Sequence, residues 1–188
     1  MKSREFKNIL KELEKKNLAI MGHMGSGKSV LGKLIAKKLN LKHLDSDKEI
    51  VKFTNLSINK IFEIHGEKYF RKIEKKILLK LLEKNNVIIS LGGGSIIERE
   101  IRKKLISNSI TLFLDVNLIE LEKRLKKSIN RPLLKNINLK KKINELDKKR
   151  RKYYLLSDIV IENSNTLSDA RQNFIKKLTI LNGKTNKN

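Results

Sequence analysis

Cysteine is absent from the 188 residues, so neither a disulfide scaffold nor a thiolate metal site holds this chain together. Tryptophan is absent as well, and proline occurs once, at Pro132. The three tyrosines and six phenylalanines are not interleaved with basic residues in the way that stacks nucleobases. No apolar run reaches the roughly eighteen residues that a membrane-spanning helix needs. Met1 to Lys16 alternates charged and apolar residues and contains no continuous apolar stretch of secretory type. The expectation is a cytoplasmic protein with no membrane partner.

Negative charge is also scarce: 20 acidic residues stand against 44 basic ones, a formal net charge of +24. Clustered cations give salt-dependent affinity for phosphate backbones. Here, however, the excess is mostly lysine, 35 of them against nine arginines, scattered over the solvent faces of helical segments. Asparagine and isoleucine are abundant alongside, which reads as a compositional habit rather than a patch. No specific nucleic-acid partner is expected, although the basic field draws in anionic substrates.

Five apolar runs read as strands: Leu18–Met21, Leu41–Leu44, Val87–Leu91, Ile110–Val116 and Ile159–Ile161. Helical patterns lie between them, the longest from about Ser57 to Leu82 and the last from about Leu167 to Leu181. Strands alternating with helices make βαβ units, hence a three-layer α/β/α domain on a parallel sheet. That domain is expected over residues 17–182, with a mobile, lysine-rich connection around 128–144 and a frayed tail at 183–188. Residues 1–16 form an N-terminal extension that reads as a short amphipathic helix, with Phe6, Ile9, Leu10 and Leu13 on one side.

Between the first strand and the first long helix stands Gly22-His23-Met24-Gly25-Ser26-Gly27-Lys28-Ser29, which fits G-x-x-x-x-G-K-[ST]. In such a loop the backbone N–H groups of Gly25, Ser26 and Gly27 wrap a β-phosphate; Lys28 reaches the β- and γ-phosphates, and the Ser29 hydroxyl ligates Mg²⁺. Strand, glycine loop, helix is the order that aims a helix N-terminus at an anion.

Ligands of parallel sheets bind beyond the carboxyl ends of the strands. There the second strand ends in Asp45-Ser46-Asp47, two carboxylates two residues apart and so on one side of a strand terminus. One can assist Mg²⁺ through water and the other can take a proton from a substrate hydroxyl. The plainer reading is an N-cap for the next helix, starting near Lys48. The third strand ends in Gly92-Gly93-Gly94, where a substrate hydroxyl can reach a backbone N–H, or where the chain simply turns tightly into a helix from about Ile97.

In a chain that uses lysine for generic positive charge, a retained arginine points to the planar two-pronged fork. Arg71, Arg124, Arg131, Arg150 and Arg151 are therefore candidates to grip a carboxylate or a transferring phosphoryl group, whereas Arg4, Arg99, Arg102 and Arg171 read as surface residues. His23, His43 and His65 lack metal-like spacing and are given no chemical role. Phe62 and Phe70, eight residues apart on the long helix, read as core residues that can also wall a substrate ring.

Taken together, the phosphate loop, Asp45-Ser46-Asp47, Phe70-Arg71-Lys72-Ile73-Glu74, Gly92-Gly93-Gly94, Arg131-Pro132-Leu133-Leu134 and Arg150 followed by Tyr154 resemble the shikimate kinase family. The resemblance runs from about Leu18 to Leu181. It implies a P-loop kinase fold with sheet order 2-3-1-4-5 and a mobile lid. The implied reaction is ATP-dependent phosphorylation of the 3-hydroxyl of shikimate, on the route to chorismate and the aromatic amino acids, by a monomer. Carried over by motif, Lys28, Ser29, Val30 and the loop glycines hold ATP and Mg²⁺, with Asp45 near the metal through water. Asp47 orients the hydroxyl, Arg71 and Arg150 clasp the carboxylate, and Gly93 touches the substrate through its backbone. Arg131 reaches the phosphates and Arg124 stacks on adenine. Two departures stand out: Val30 replaces the family's usual Thr, and no proline separates Arg150 from Tyr154, which keeps Arg151 as an alternative carboxylate ligand. A kinase for gluconate or a nucleoside monophosphate is the nearest rival, but a nucleotide acceptor brings a second phosphate, and the glycine triplet with Asp-x-Asp suits a polyol carboxylate better.

Overall fold

The computed structural model describes residues 1–127, 138–163 and 166–185. Five parallel strands form its centre: β1 (Asn17–Met21), β2 (Lys42–Asp45), β3 (Val87–Ser90), β4 (Ser109–Asp115) and β5 (Ile159–Glu162). They lie in the order β2-β3-β1-β4-β5, with Leu18 beside Ile88 on one flank and Ile110 on the other. All five positions of β1 and all four of β3 are buried, as in a parallel sheet covered on both faces.

Alternation along β1 divides the core in two. Leu18 and Ile20 join Leu31, Ile35 and Leu39 of α2 (Lys28–Leu39), Phe174 and Leu178 of α8 (Leu167–Thr185), and Phe6, Ile9 and Leu10 of α1 (Ser3–Glu12). Ala19 and Met21 face the other way, toward α3 (Ser46–Thr54), α4 (Ile58–Leu81) and α5 (Arg99–Asn108), through Ile50, Phe70, Leu78 and Ile101. A third, smaller cluster of Val116, Leu121, Leu125 and Ile143 packs α6 (Leu118–Lys127) against α7 (Leu139–Tyr154).

Four sequence expectations change. The helix expected without interruption from Ser57 to Leu82 breaks at Gly66, where φ is 74° and ψ 176°. A Cβ there would meet nothing within 4 Å, so the backbone conformation, not crowding, calls for glycine. Phe62 and Phe70 meet across the break, with ring centroids 4.7 Å apart. After the glycine triplet the chain makes one 3₁₀ turn, Ser95–Ile97, before α5 begins beneath the Glu98 cap, rather than entering an α-helix at Ile97. The polar stretch expected to be a mobile connection to residue 144 becomes helix at Leu139, where the Asn138 side chain accepts from Lys141 N at 3.0 Å. Residues 128–137, which carry Arg131 and most of the expected lid, lie outside the described residues. At the other end α8 continues to Thr185, past the position where fraying was expected.

The N-terminal helix belongs to the core: Phe6 is wholly buried and Leu10 nearly so. Lys16 then joins two loops, donating from its N–H to Asn108 O and accepting at its carbonyl from Asn86 N, both at 2.7 Å. Replacing a buried Phe by Ala costs about 3–5 kcal/mol. Phe6→Ala should lower the free energy of unfolding by about that amount in a denaturant titration. Turnover per folded molecule should stay unchanged, because α1 leads into the amino end of β1, away from the strand ends where ligands bind.

Candidate active site at the carboxyl ends of the strands

β1 ends at Met21, and the chain turns through Gly22–Gly27 into α2. Gly25 and Gly27 take φ values of 82° and 97°, the left-handed region that lets successive N–H groups converge on an anion. Lys28 is 8% exposed and folds its Nζ back onto the carbonyl of His23 at 2.7 Å. The Ser29 hydroxyl donates to a carboxylate oxygen of Asp45. The other oxygen of Asp45 caps α3, accepting from Asp47 N at 3.1 Å and Lys48 N at 3.4 Å. Asp45 thus caps α3, which begins at Ser46 rather than near Lys48, and at the same time reaches the Ser29 hydroxyl. Asp47 does not sit on the strand terminus as the alternation argument supposed. It occupies the first turn of α3, where a carboxylate also favours the helix dipole, and faces the same cavity as Asp45.

The glycine triplet lies under charged side chains. A Cβ on Gly92 would stand 2.7 Å from Glu74 Oε1 and 2.8 Å from Asp47 Oδ1, and one on Gly94 would stand 2.6 Å from Arg71 Nη1. Gly93 abuts the phosphate loop, 3.1 Å from Gly22 O by the same measure. Ser46 pins the triplet, its Oγ accepting from Gly92 N at 2.8 Å.

Arg71 donates from Nη1 to Glu74 Oε2 at 2.6 Å and from Nε and Nη2 to Glu67 Oε1 at 3.2 and 3.1 Å. Burial works against its charge, but Glu74 and Glu67 outweigh it and raise the guanidinium pKa. Arg150, 9% exposed on α7, has the opposite balance. Burial lowers its pKa despite the neighbouring Tyr154, and its Nε has no hydrogen-bond partner among the described residues.

These groups surround one cavity of about 490 Å³. Lys28, Ser29, Asp45, Asp47, Arg71, Glu74, Gly92, Gly93, Gly94 and Arg150 line it, with Gly25, Gly27 and Val30 from the phosphate loop and helix start. Ile58, Phe62 and Phe70 supply an apolar wall. Residues 24–179 match the family model described as shikimate kinase. The chain belongs to the shikimate kinase family. The shikimate kinase of Buchnera aphidicola is 40% identical over 151 residues, spanning 79% of this chain and 87% of that one. That of Bartonella quintana is 35% identical over 176 residues, 92% of this chain and 82% of its own. The solved shikimate kinase of Acinetobacter baumannii in complex with shikimate superposes with a TM-score of 0.84 at 30% identity, covering 97% of this chain and 98% of that one.

Within this shikimate kinase fold, the two adjacent arginines separate cleanly. Arg150 lines the cavity, whereas Arg151 forks onto Asp115 at the end of β4, with Nη1–Oδ1 at 3.2 Å and Nη2–Oδ2 at 2.6 Å. Arg124 donates to Glu120 and, at 3.1 Å, to the carbonyl of Asn163 just after β5, outside the cavity lining. Ser26 is wholly buried, and its carbonyl accepts from Asn163 Nδ2 at 2.9 Å.

Two site residues carried no role in the sequence reading. Glu74, 2% exposed, sits three residues beyond Arg71 on an otherwise apolar helix face, and that lone acid among Phe70, Ile73 and Ile77 was the available signal. Burial pushes its carboxyl pKa up while Arg71 pulls it down, with a net rise. The His23 ring, 4% exposed, meets Asp147 Oδ1 through Nε2 at 2.9 Å, a partner 124 positions away for which no local pattern exists.

Because the obstacle to a Cβ at Gly94 is the far end of Arg71, Gly94→Ala should fold and push the guanidinium aside. Hydrogen bonds to charged groups contribute about 1.5–3 kcal/mol, so the KM for the acceptor should rise about tenfold or more. The nucleotide KM should hold near its wild-type value. Steady-state kinetics with each substrate varied in turn checks the split.

Proposed function

We infer that the chain transfers the γ-phosphoryl group of ATP to the 3-hydroxyl of shikimate, giving shikimate 3-phosphate and ADP. The observation that carries this reading is the single cavity in which the phosphate-loop Lys28 and Ser29 face Asp47, Arg71, Gly93 and Arg150. An acceptor held by the arginines presents its hydroxyl toward the phosphate loop, and phosphoryl transfer asks chiefly for such positioning and for charge neutralisation.

Each residue then has a defined task. The N–H groups of Gly25, Ser26 and Gly27 cradle the β-phosphate, and the Lys28 ammonium neutralises charge on the transferring group. Asp47 accepts the hydrogen bond of the 3-hydroxyl and can take its proton as the oxygen bonds to phosphorus and the bond to the bridging oxygen breaks. Arg71 and Arg150 grip the carboxylate, the second with a buried Nε that no described residue satisfies. The Gly93 backbone contacts the acceptor ring, while Phe62 and Phe70 cover its apolar side. Arg124, beside the segment after β5, stacks on adenine, and Arg131 completes the phosphate site from outside the described residues.

The Ser29 hydroxyl and the Asp45 carboxylate, already in hydrogen-bond contact, are hard oxygen donors suited to Mg²⁺. No group of three or more His, Cys, Asp or Glu gathers among the described residues. That fits Mg²⁺, which keeps several waters and takes its remaining ligands from substrate phosphates. Ser29 would bind it directly and Asp45 through water; when bound it neutralises phosphate charge. On this reading the enzyme is a monomer in the cytoplasm; among the described residues no helix is long and apolar enough to cross a membrane.

A coupled ADP-release assay with shikimate, gluconate and CMP offered in parallel tests the reading. Turnover should depend on shikimate; activity with only the other two acceptors rejects the assignment. Asp47→Asn retains the size and hydrogen-bonding of the side chain but not the base. It should bind ATP as wild type does and lose roughly 10²–10⁴-fold in turnover, the range of general-base contributions. Unimpaired turnover removes Asp47 from this role.

A further inference from the structure

Three side chains of α7 at positions 147, 150 and 154 share one helix face, and that face is turned toward the active site. Arg150 lines the cavity. Tyr154 donates from its hydroxyl to the carbonyl of Gly93 at 2.5 Å and stacks on Phe113 of β4. Asp147 meets the imidazole of His23 at 2.9 Å. The same imidazole stands edge-on to the Tyr154 ring, with centroids 5.1 Å apart. His23 therefore touches this face twice, although it belongs to the phosphate loop.

Its backbone is engaged on the other side. The carbonyl of His23 accepts from Lys28 Nζ at 2.7 Å, and also from Ser26 N at 3.2 Å as part of the loop's own turn. One residue thus holds the phosphate-binding lysine through its main chain and the helix carrying Arg150 through its ring. We propose that His23 is a positioning residue whose hydrogen bond to Asp147 fixes α7 against the phosphate loop, so that the acceptor-carboxylate site at Arg150 and the phosphate site at Lys28 are held in one register. The proposal deepens the functional reading above and rests on it.

The chemistry favours orientation over proton transfer. Burial pushes the imidazole pKa down, as do the charges of Arg150 and Lys28, against the raising effect of Asp147. The neutral ring donates Nε2–H to the Asp147 carboxylate. Asp147 also faces Arg151 Nη1 at 3.5 Å, and Arg151 is itself forked onto Asp115. The tie therefore runs from the phosphate loop through α7 to the end of β4. Neither His23 nor Asp147 is among the residues lining the catalytic cavity, which separates them from groups that touch the substrates.

The test compares His23→Leu, His23→Gln and the double variant His23→Leu/Asp147→Leu with the wild-type chain. The readouts are the KM for shikimate, ADP affinity without acceptor by calorimetry, and the thermal midpoint. Loss of a hydrogen bond to a charged group should raise the shikimate KM of His23→Leu about tenfold, with ADP affinity shifted by less than about threefold. Gln, whose terminal amide reaches about as far as Nε2, should recover most of that loss. Replacing both partners with apolar groups is close to neutral for stability. The double variant should therefore melt near wild type and yet keep the raised KM, a split that a purely structural role does not give. The inference is overturned by a wild-type shikimate KM in the double variant, by His23→Gln as impaired as His23→Leu, or by ADP affinity falling as far as acceptor affinity. A wild-type chain without shikimate-dependent ADP release overturns the functional reading itself and this inference with it.

Discussion

The ion pair between Arg71 and Glu74 constrains most of what surrounds it. Two opposite charges on neighbouring turns of α4, one of them only 2% exposed, must be desolvated together, and such a pair tolerates little displacement. Side chains over it from the facing strand end would crowd the pair, and β3 leaves the sheet through three glycines: a Cβ on Gly92 would collide with Glu74 and Asp47, one on Gly94 with the end of Arg71, and one on Gly93 would press on the phosphate-loop backbone. With the triplet fixed in that shape, Gly92 N finds Ser46 Oγ and Gly93 O finds the Tyr154 hydroxyl. The ion pair thereby sets the positions of α3 and α7 as well as of its own helix. A charged cluster at a sheet's carboxyl edge is costly on its own, and here Arg71 is satisfied within α4 by Glu67 and Glu74.

The charges in the cavity are arranged unevenly, and the unevenness is chemically useful. Arg71 arrives with two carboxylates on it, so it behaves as an oriented, partly neutralised fork. Arg150 arrives with a buried, unpartnered Nε and a pKa lowered first by desolvation. An anionic ligand that reaches both gains most from the second, because it relieves a desolvated cation. Lys28 differs again: its ammonium is already turned onto the His23 carbonyl, an acceptor a phosphate oxygen can replace. The site thus offers one preset clamp, one unsatisfied clamp and one exchangeable cation.

The centre of the sheet was readable in advance because β1 and β3 are buried on both faces, so the continuous apolar runs Leu18–Met21 and Val87–Leu91 stood out from amphipathic helices. The phosphate loop was readable because its chemistry is local: backbone geometry, one lysine and one hydroxyl within eight residues. What escaped was non-local or conformational. The break at Gly66 hides inside a hydrophobic pattern that stays in phase, since Phe62 and Phe70 meet across it. Asp45 and Asp47 were rightly brought to one site, but by an argument from strand alternation that fails, because the second sits in a helix turn. The choice between Arg150 and Arg151 could not be settled from spacing. It turns on Asp115, at the end of a strand more than thirty positions earlier, which engages Arg151 while Arg150 lines the cavity.

The same cavity explains why a carboxylate acceptor suits it better than a phosphate one. A nucleoside monophosphate brings a dianion, and beside the arginines here stand Asp47 and Glu74, both against Gly92. A second phosphate near those oxygens would meet like charge in a partly desolvated pocket, where repulsion is poorly screened. A monocarboxylate needs only the fork of Arg71 and the unpartnered Nε side of Arg150, which leaves the acidic side of the pocket to accept hydrogen bonds from hydroxyl groups. The opposite wall of Ile58, Phe62 and Phe70 has no polar group to offer, so it favours a ligand with one apolar face. Charge, hydroxyl and apolar surface must then be distributed around a compact ring in the order the pocket presents them. That requirement, more than the affinity of any single arginine, is what separates a cyclic polyol acid from a nucleotide at this site.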